Sequence, residues 1–199
     1  MSASENLITI AKNEQRVYDA GYEKGKAEGE AFLNAYQSAD VGNDYRYRFS
    51  GYGWTDATFA MIKVPLDGIK ITNAINMFAY SKITDIDYDL DYSEAVQINY
   101  AFSNAAKLKR IKSITFPTAA ASTTNPFTGC SALEDITVKG TINFDLSFSA
   151  CSKLTAASAE SIINAYEAGD YTLDLAAATI ALLSDEIKQV AADKGLTIK

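Results

Sequence analysis

The stretch NPFTGCSALEDITV (residues 125–138) carries a spacing of apolar residues that the chain repeats. The segments AFSNAAKLKRIKSI (101–114) and SFSACSKLTAAS (147–158) share it, and MFAYSKITDI (77–86) shares it with one residue missing. Each copy has a Phe, then a small residue or Cys, then Leu or Ile, and finally Ile or Ala. The four sets are Phe78, Phe102, Phe127 and Phe148; Ser81, Ala105, Cys130 and Cys151; Ile83, Leu108, Leu133 and Leu154; and Ile86, Ile111, Ile136 and Ala157.

This repeat predicts how the fold is built. Apolar positions that recur every 20-odd residues are typical of solenoids of the leucine-rich length class. One such unit cannot bury its own Phe and Leu, so neighbouring units must stack to form the core. We therefore predict an α/β fold, a leucine-rich-repeat-like solenoid with short parallel strands, over residues 77–199. The repeat is interpreted as a scaffold before it is interpreted as a site.

Composition excludes several classes of protein. The chain has 199 residues, a net charge of −7 and only 18 Lys and Arg. Nucleic acid binding needs clustered positive charge, so no nucleic-acid partner is expected. The local basic cluster Lys107, Lys109, Arg110 and Lys112 is interpreted as a solvated face. No window reaches the roughly 20 apolar residues of a membrane span, and the N-terminus shows no secretory signal. We expect no membrane partner and synthesis in a cytoplasm.

Residues 1–38 are predicted to form an N-terminal helical segment for assembly or anchoring. Gly21, Gly25 and Gly29 recur at a spacing of four, which puts them on one helix face. Such a face permits close approach to a copy of itself or to another protein. The alternative is a flexible tether, because each glycine weakens a helix by about 1 kcal/mol relative to Ala. We favour self-association, with a trimer as the first expectation.

Residues 39–76 are predicted to be an aromatic-rich N-terminal cap or transition. The alternation in DYRYRFS (44–50) predicts a strand with Tyr45, Tyr47 and Phe49 on one side and Arg46 and Arg48 on the other. Its aromatic residues are either a platform for a sugar or protein, or a cover for the exposed first repeat. We favour the cover.

The C-terminal residues predict a helix–strand–helix–strand cap. SAESIINAYEAG (158–169) has helical spacing, and YTLDL (171–175) alternates like a strand. Ser184 is a predicted N-cap for the next helix, and Gly195 its stop. LTIK (196–199) then predicts a last short strand.

The sequence offers no catalytic residue, cofactor site or metal site that stands out. Histidine is absent, which removes His-based nucleophilic and acid–base sites. Cys130 and Cys151 occupy the same repeat position and are interpreted as buried packing thiols in preference to a disulfide or metal pair. Ligand-binding residues stay unassigned, and no cofactor is expected.

Four aspartates at every second position form the one notable acidic pattern: Asp85, Asp87, Asp89 and Asp91. Read as a calcium loop from Asp87, the pattern lacks the required Gly and the closing Glu, since Tyr92 and Ile98 stand there. An extended strand would place all four on one face, opposite Ile86, Tyr88, Leu90 and Tyr92. A solvated strand face is favoured over a weak calcium site.

The frame Phe127, Cys130, Leu133 and Ile136 resembles the BspA-like class of leucine-rich repeats. The opening NEQRVYDAGYEKGKAEG (13–29), with FLNAYQ and YGWTD, and the C-terminal segment 154–199 are similar to the ends of small phage- or prophage-encoded repeat proteins of this type. The resemblance implies a non-enzymatic virion component, of a tail or fibre, that contacts a host-surface protein or glycan or another virion protein.

Two alternatives stay open. One is a bacterial repeat protein, in the cytoplasm or at the cell surface, that binds a host protein or polysaccharide. The other is a carboxylate-dependent glycan hydrolase, since a chain with 25 acidic residues always contains carboxylate pairs.

Overall fold

The computed structural model describes residues 43–60, 66–118 and 124–199. The predicted N-terminal helical segment, residues 1–38, lies outside the described residues. The fold is mixed α/β, with short parallel strands in two three-stranded sheets. Its elements in chain order are α1 (Asp56–Phe59), β1 (Asp85–Asp91), β2 (Arg110–Thr115), β3 (Asp135–Lys139), β4 (Leu146–Phe148), α2 (Ala156–Ala165), β5 (Thr172–Leu175), α3 (Ala177–Ile180), α4 (Asp185–Asp193) and β6 (Thr197–Ile198).

The first sheet has the order β1-β2-β3, and all its strands are parallel. Ile86 pairs with Ile111, and Ile111 pairs with Ile136. These three isoleucines hold the same place in the repeated sequence frame, so the repeat sets the register of the sheet. The strand prediction from the alternating aspartates is confirmed, because Asp85–Asp91 is strand β1.

A column of five Phe rings runs through the core next to this sheet. The rings of Phe78, Phe102 and Phe127 lie parallel, with centroids 5.3 and 5.1 Å apart. Phe148 extends the column at one end, 4.3 Å from Phe127, and Phe49 extends it at the other, 5.1 Å from Phe78. All five are buried. Phe49 therefore adds a member that the sequence frame did not identify.

Backbone hydrogen bonds join the successive Phe-containing segments directly. The amide of Phe78 donates to the carbonyl of Ala101 at 2.7 Å, and the amide of Phe102 donates to the carbonyl of Pro126 at 2.9 Å. The same bond links Phe49 to the next segment. The rings of Phe49, Phe78 and Phe102 are therefore each held next to the following ring by their own backbone as well as by ring packing.

Helix α2 closes the free edge of β3 with two serine side chains. The Oγ atoms of Ser158 and Ser161 accept hydrogen bonds from the amides of Ile136 at 3.0 Å and Val138 at 2.9 Å. The serines stand three residues apart, so they lie on one face of the helix. An exposed strand edge invites pairing with another chain. Here the helix satisfies the amides that a further strand would otherwise bind.

The second sheet, β4-β5-β6, contains the C-terminal elements. The helix and strand at 156–165 and 172–175 follow the predicted order, and so do the helix at 185–193 and the strand at 197–198. Ser184 Oγ accepts from the amide of Ile187, and Gly195 has a φ of +74°, as a helix stop requires. The short helix α3 between them was not predicted.

The predicted strand at DYRYRFS is wrong. Residues 46–49 form turns, and Tyr47 has a φ of +57°, which an extended strand does not contain. Tyr45 and Phe49 are buried in the core, whereas Tyr47 is exposed. Arg48, predicted on the polar side, is 7% exposed. The left-handed backbone at Tyr47 turns its side chain outward and breaks the two-residue alternation.

Candidate functional site

A pair of left-handed backbone positions flanks each of the first four Phe residues of the column. One position lies two residues before the Phe and the other two residues after it. The eight left-handed positions are Tyr47 and Gly51, Asn76 and Tyr80, Tyr100 and Asn104, and Asn125 and Gly129, with φ between +44° and +102°. The four pairs recur in register because the segments themselves are stacked.

Inter-segment hydrogen bonds fix the backbone at these positions. The amide of Tyr80 donates to Ser103 O at 2.8 Å, and the amide of Asn104 donates to Thr128 O at 2.7 Å. The amide of Tyr100 donates to Thr124 O at 3.0 Å. Each side chain at these positions therefore starts from a fixed point.

Four tyrosines on this part of the molecule are exposed, and we call them the tyrosine face: Tyr47, Tyr52, Tyr80 and Tyr100. Their exposed fractions are 41%, 58%, 44% and 41%. The rings of Tyr52 and Tyr80 meet edge to face with centroids 6.0 Å apart, and Lys82 Nζ lies 5.8 Å from the Tyr52 ring centroid. Three of the four stand at left-handed positions, where bulky residues are outliers.

The chemistry of the left-handed positions differs from that of the rest of the surface. They hold only Tyr, Asn and Gly, whereas the chain as a whole has 18 basic and 25 acidic residues. Asn125 is exposed and Asn76 is half-buried. The side-chain amide of Asn104 donates to Ser103 Oγ at 3.1 Å. These positions therefore offer ring surfaces, hydroxyls and amides, and none of them carries an ionised side chain.

The aspartates of β1 face basic residues on the neighbouring strands. Arg110 donates to Asp85 and to Asp87 at 2.9 Å. Asp89 accepts from Ser113 Oγ at 2.7 Å and lies 3.1 Å from Lys139 Nζ. The Ser113 hydrogen bond, followed by that of Lys139, holds the pKa of Asp89 below its ordinary 3.8. Ion pairing with β2 and β3 thus accounts for three of the four aspartates.

Two members of the basic cluster, Arg110 and Lys112, lie on β2 and pair with acidic side chains. Lys112 lies 3.7 Å from Asp67 and 3.5 Å from Asp89. Within the described ranges, no group of three or more His, Cys, Asp or Glu side chains is placed to hold a metal ion. A shallow groove of about 210 Å³ runs beside this pairing, between Arg110 and Ser158. The Arg110 charge at its edge is already partnered across the sheet.

Both cysteines are free and buried. Cys130 Sγ donates to the carbonyl of Phe102 at 3.0 Å. Burial raises the pKa of Cys130 to about 12 and also raises the pKa of Cys151. The thiols therefore pack in the core in the protonated form, and their interpretation as packing residues is confirmed.

Sequence reasoning missed Tyr80 and Tyr100 as surface residues. A signal was present, because the equivalent places in other copies hold Asn104, Asn125 and Gly129, the residues that favour left-handed backbone. Aligning the copies on their Phe residues places each tyrosine in a column with Asn or Gly. The platform considered for Tyr45, Tyr47 and Phe49 thus includes only Tyr47 among those three.

Comparison of the chain with family models, with curated proteins and with solved structures gave no match. In the described residues, no helix combines the length and the apolar character needed to cross a membrane.

Proposed function

We propose that this chain is a non-enzymatic structural or adhesion protein of a phage particle, in which a leucine-rich-repeat-like solenoid displays a surface for protein or glycan contact. One observation carries the proposal. Successive segments stack in register through the Phe column and its backbone bonds, and three exposed tyrosines, Tyr47, Tyr80 and Tyr100, stand at recurring hydrogen-bonded backbone positions of these segments.

The mechanism of such a protein is display. A partner that binds mobile side chains must order them, which costs about 0.5–1.5 kcal/mol for each. Here the backbone beneath Tyr80 and Tyr100 is already held by hydrogen bonds of 2.8 and 3.0 Å to the next segment. Tyrosine also has few rotatable bonds for the contact area it provides. The scaffold reduces the ordering cost before the partner arrives.

The phage part of the proposal is supported by the resemblance of the two ends of the chain to small phage-encoded repeat proteins. In this proposal residues 1–38 assemble the chain, with a trimer as the first expectation, or anchor it to another virion protein. The C-terminal elements from α2 to β6 close the stack, and the serine contacts of α2 with the edge of β3 support that role.

A hydrolysis assay tests the non-enzymatic claim. The full chain is incubated with neutral and acidic polysaccharides, and released reducing ends are measured. The proposal expects none above the buffer control. Cleavage that a single Asp or Glu substitution abolishes would make the chain a glycan hydrolase.

Light scattering tests the assembly claim. Gly21, Gly25 and Gly29 are replaced together by Leu in the full chain, a change that raises helix propensity while it fills the small-residue face. The native chain is expected to be a closed oligomer and the variant a smaller species. An unchanged mass would refute assembly through the glycines.

A further inference from the structure

We propose that the tyrosine face is a binding site for a neutral, linear polysaccharide. This inference rests on the proposed display function and specifies its ligand. Tyr47, Tyr80 and Tyr100 have φ values of +57°, +60° and +56°, and a left-handed conformation is less favourable for such residues by about 1–2 kcal/mol.

The strain at the tyrosines is avoidable in this fold. Asn76, Asn104 and Asn125 stand at equivalent positions and adopt the same backbone, and Asn tolerates it far better. The tyrosine rings are 41–44% exposed, so they bury less than a core ring would. Strained residues that packing does not require point to a function. The tyrosines are therefore retained for what their rings contact outside the molecule.

The chemistry of the face selects the class of ligand. A tyrosine ring presents an apolar surface with a polar tip, which suits the C–H face and the hydroxyls of a sugar ring. Asn76 and Asn125 add amides that both donate and accept hydrogen bonds. No ionised side chain occupies the eight left-handed positions, and Lys82 already lies over the ring of Tyr52. With a net charge of −7, the chain would repel a polyanion.

A column of recurring residues on this face favours a polymer as the ligand. Tyr47, Asn76 and Tyr100 follow one another in a single column, one segment apart, because the amide of Tyr47 donates to Ile75 O and the amide of Asn76 donates to Asn99 O. The core rings beneath them repeat at 5.1–5.3 Å. A row of similar groups at a constant interval matches a chain of similar sugar units better than it matches a compact molecule.

Affinity electrophoresis of the full chain tests this site. Native gels contain one of the linear neutral polymers pullulan, glucomannan and mixed-linkage β-glucan, with alginate as the polyanion. The native chain is expected to be retarded by at least one neutral polymer. A triple variant with Tyr47→Asn, Tyr80→Asn and Tyr100→Asn is expected to bind that polymer at least 10-fold more weakly. Leu182→Ala, a change at a residue 57% exposed on the C-terminal part, should bind as the native chain does.

Two further variants keep the test decisive if the triple variant fails to fold. Tyr52→Ala changes the most exposed ring of the face at an ordinary backbone position and should weaken binding at least 3-fold. Tyr80→Phe keeps the ring and should retain most of the affinity. Far-UV circular dichroism establishes which variants are folded.

Several results would overturn the inference. These are the absence of retardation in every neutral polymer, retardation by alginate alone, and folded tyrosine variants that bind as tightly as the native chain. In each of these cases a hydrolysis assay without product would leave the display function intact, with a partner other than a neutral polysaccharide bound at the tyrosine face. Polysaccharide cleavage would instead refute the display function itself.

Discussion

Gly129 lies where two neighbouring segments approach closely, and substituting it tests that packing. Its φ is +74°, and a Cβ placed there would lie 2.5 Å from the side-chain Oδ1 of Asn104 and 3.2 Å from the backbone of that residue, in the neighbouring segment. Gly68 has nearly the same φ, +77°, but a Cβ there meets nothing within 4 Å. Gly68→Ala is therefore a matched control for Gly129→Ala.

The magnitudes follow from these distances. Both substitutions incur the left-handed penalty of about 1–2 kcal/mol, and both gain about 0.4–1 kcal/mol from a less flexible unfolded chain. Only Gly129→Ala adds an overpacking cost, typically about 1–3 kcal/mol. We expect Gly129→Ala to lower the free energy of unfolding by about 1–3 kcal/mol more than Gly68→Ala does.

Urea unfolding at 25 °C measures this difference. Trp54, which is 5% exposed, reports the transition by fluorescence, and circular dichroism checks that both probes coincide. Adding Asn104→Gly to Gly129→Ala removes the clash with the Asn104 side chain but leaves the crowding against its backbone, so it should recover part of the loss. Equal losses for Gly129→Ala and Gly68→Ala would refute the close packing of these two segments.

Three further changes have defined outcomes. Lys194 Nζ donates hydrogen bonds to three carbonyls at the end of α2, at 2.6–3.2 Å. Lys194→Met should therefore lower the free energy of unfolding in urea by about 1–2 kcal/mol. The control Lys188→Met, at an exposed residue of α4, should leave it almost unchanged. The folded pKa of Asp89 is lowered, so its stabilising effect is present above its ordinary pKa of 3.8 and is lost as the pH falls through the lowered pKa. Asp89→Asn should therefore make the urea midpoint depend less on pH below pH 4. An unchanged pH dependence in this range would contradict the role of Asp89. The Tyr166 hydroxyl is buried without a hydrogen-bond partner among the described residues. Tyr166→Phe should therefore raise the free energy of unfolding by about 1 kcal/mol. A clear decrease would show that the hydroxyl is hydrogen-bonded in the folded protein.

The sequence predicted the parts of the fold that depend on a repeated apolar spacing. The Phe frame anticipated four of the five stacked rings, and the matching isoleucines anticipated the register of β1, β2 and β3. The same alignment contains the charge pairing, since Asp85, Arg110 and Asp135 precede those isoleucines and lie side by side. The pairing becomes visible only when the acidic and basic residues are aligned on the same repeat position.

Other parts do not follow from such patterns. Tyr45, Tyr47 and Phe49 alternate as in a strand, but the positive φ of Tyr47 depends on hydrogen bonding to the next segment, which tyrosine does not signal. The closure of the β3 edge by Ser158 and Ser161 depends on where α2 packs. Both are decided by long-range contacts, which local sequence does not encode.

Tyrosine nitration shows which face of the chain the bound polymer covers. The full chain is treated with tetranitromethane, with and without the neutral polymer that retards it most, and nitration is located by mass spectrometry. The bound polymer is expected to slow nitration of Tyr47, Tyr52, Tyr80 and Tyr100, while Tyr171, on the C-terminal part, reacts at the same rate. If nitration of these four tyrosines is unchanged while the polymer remains bound, the tyrosine face is not its binding site.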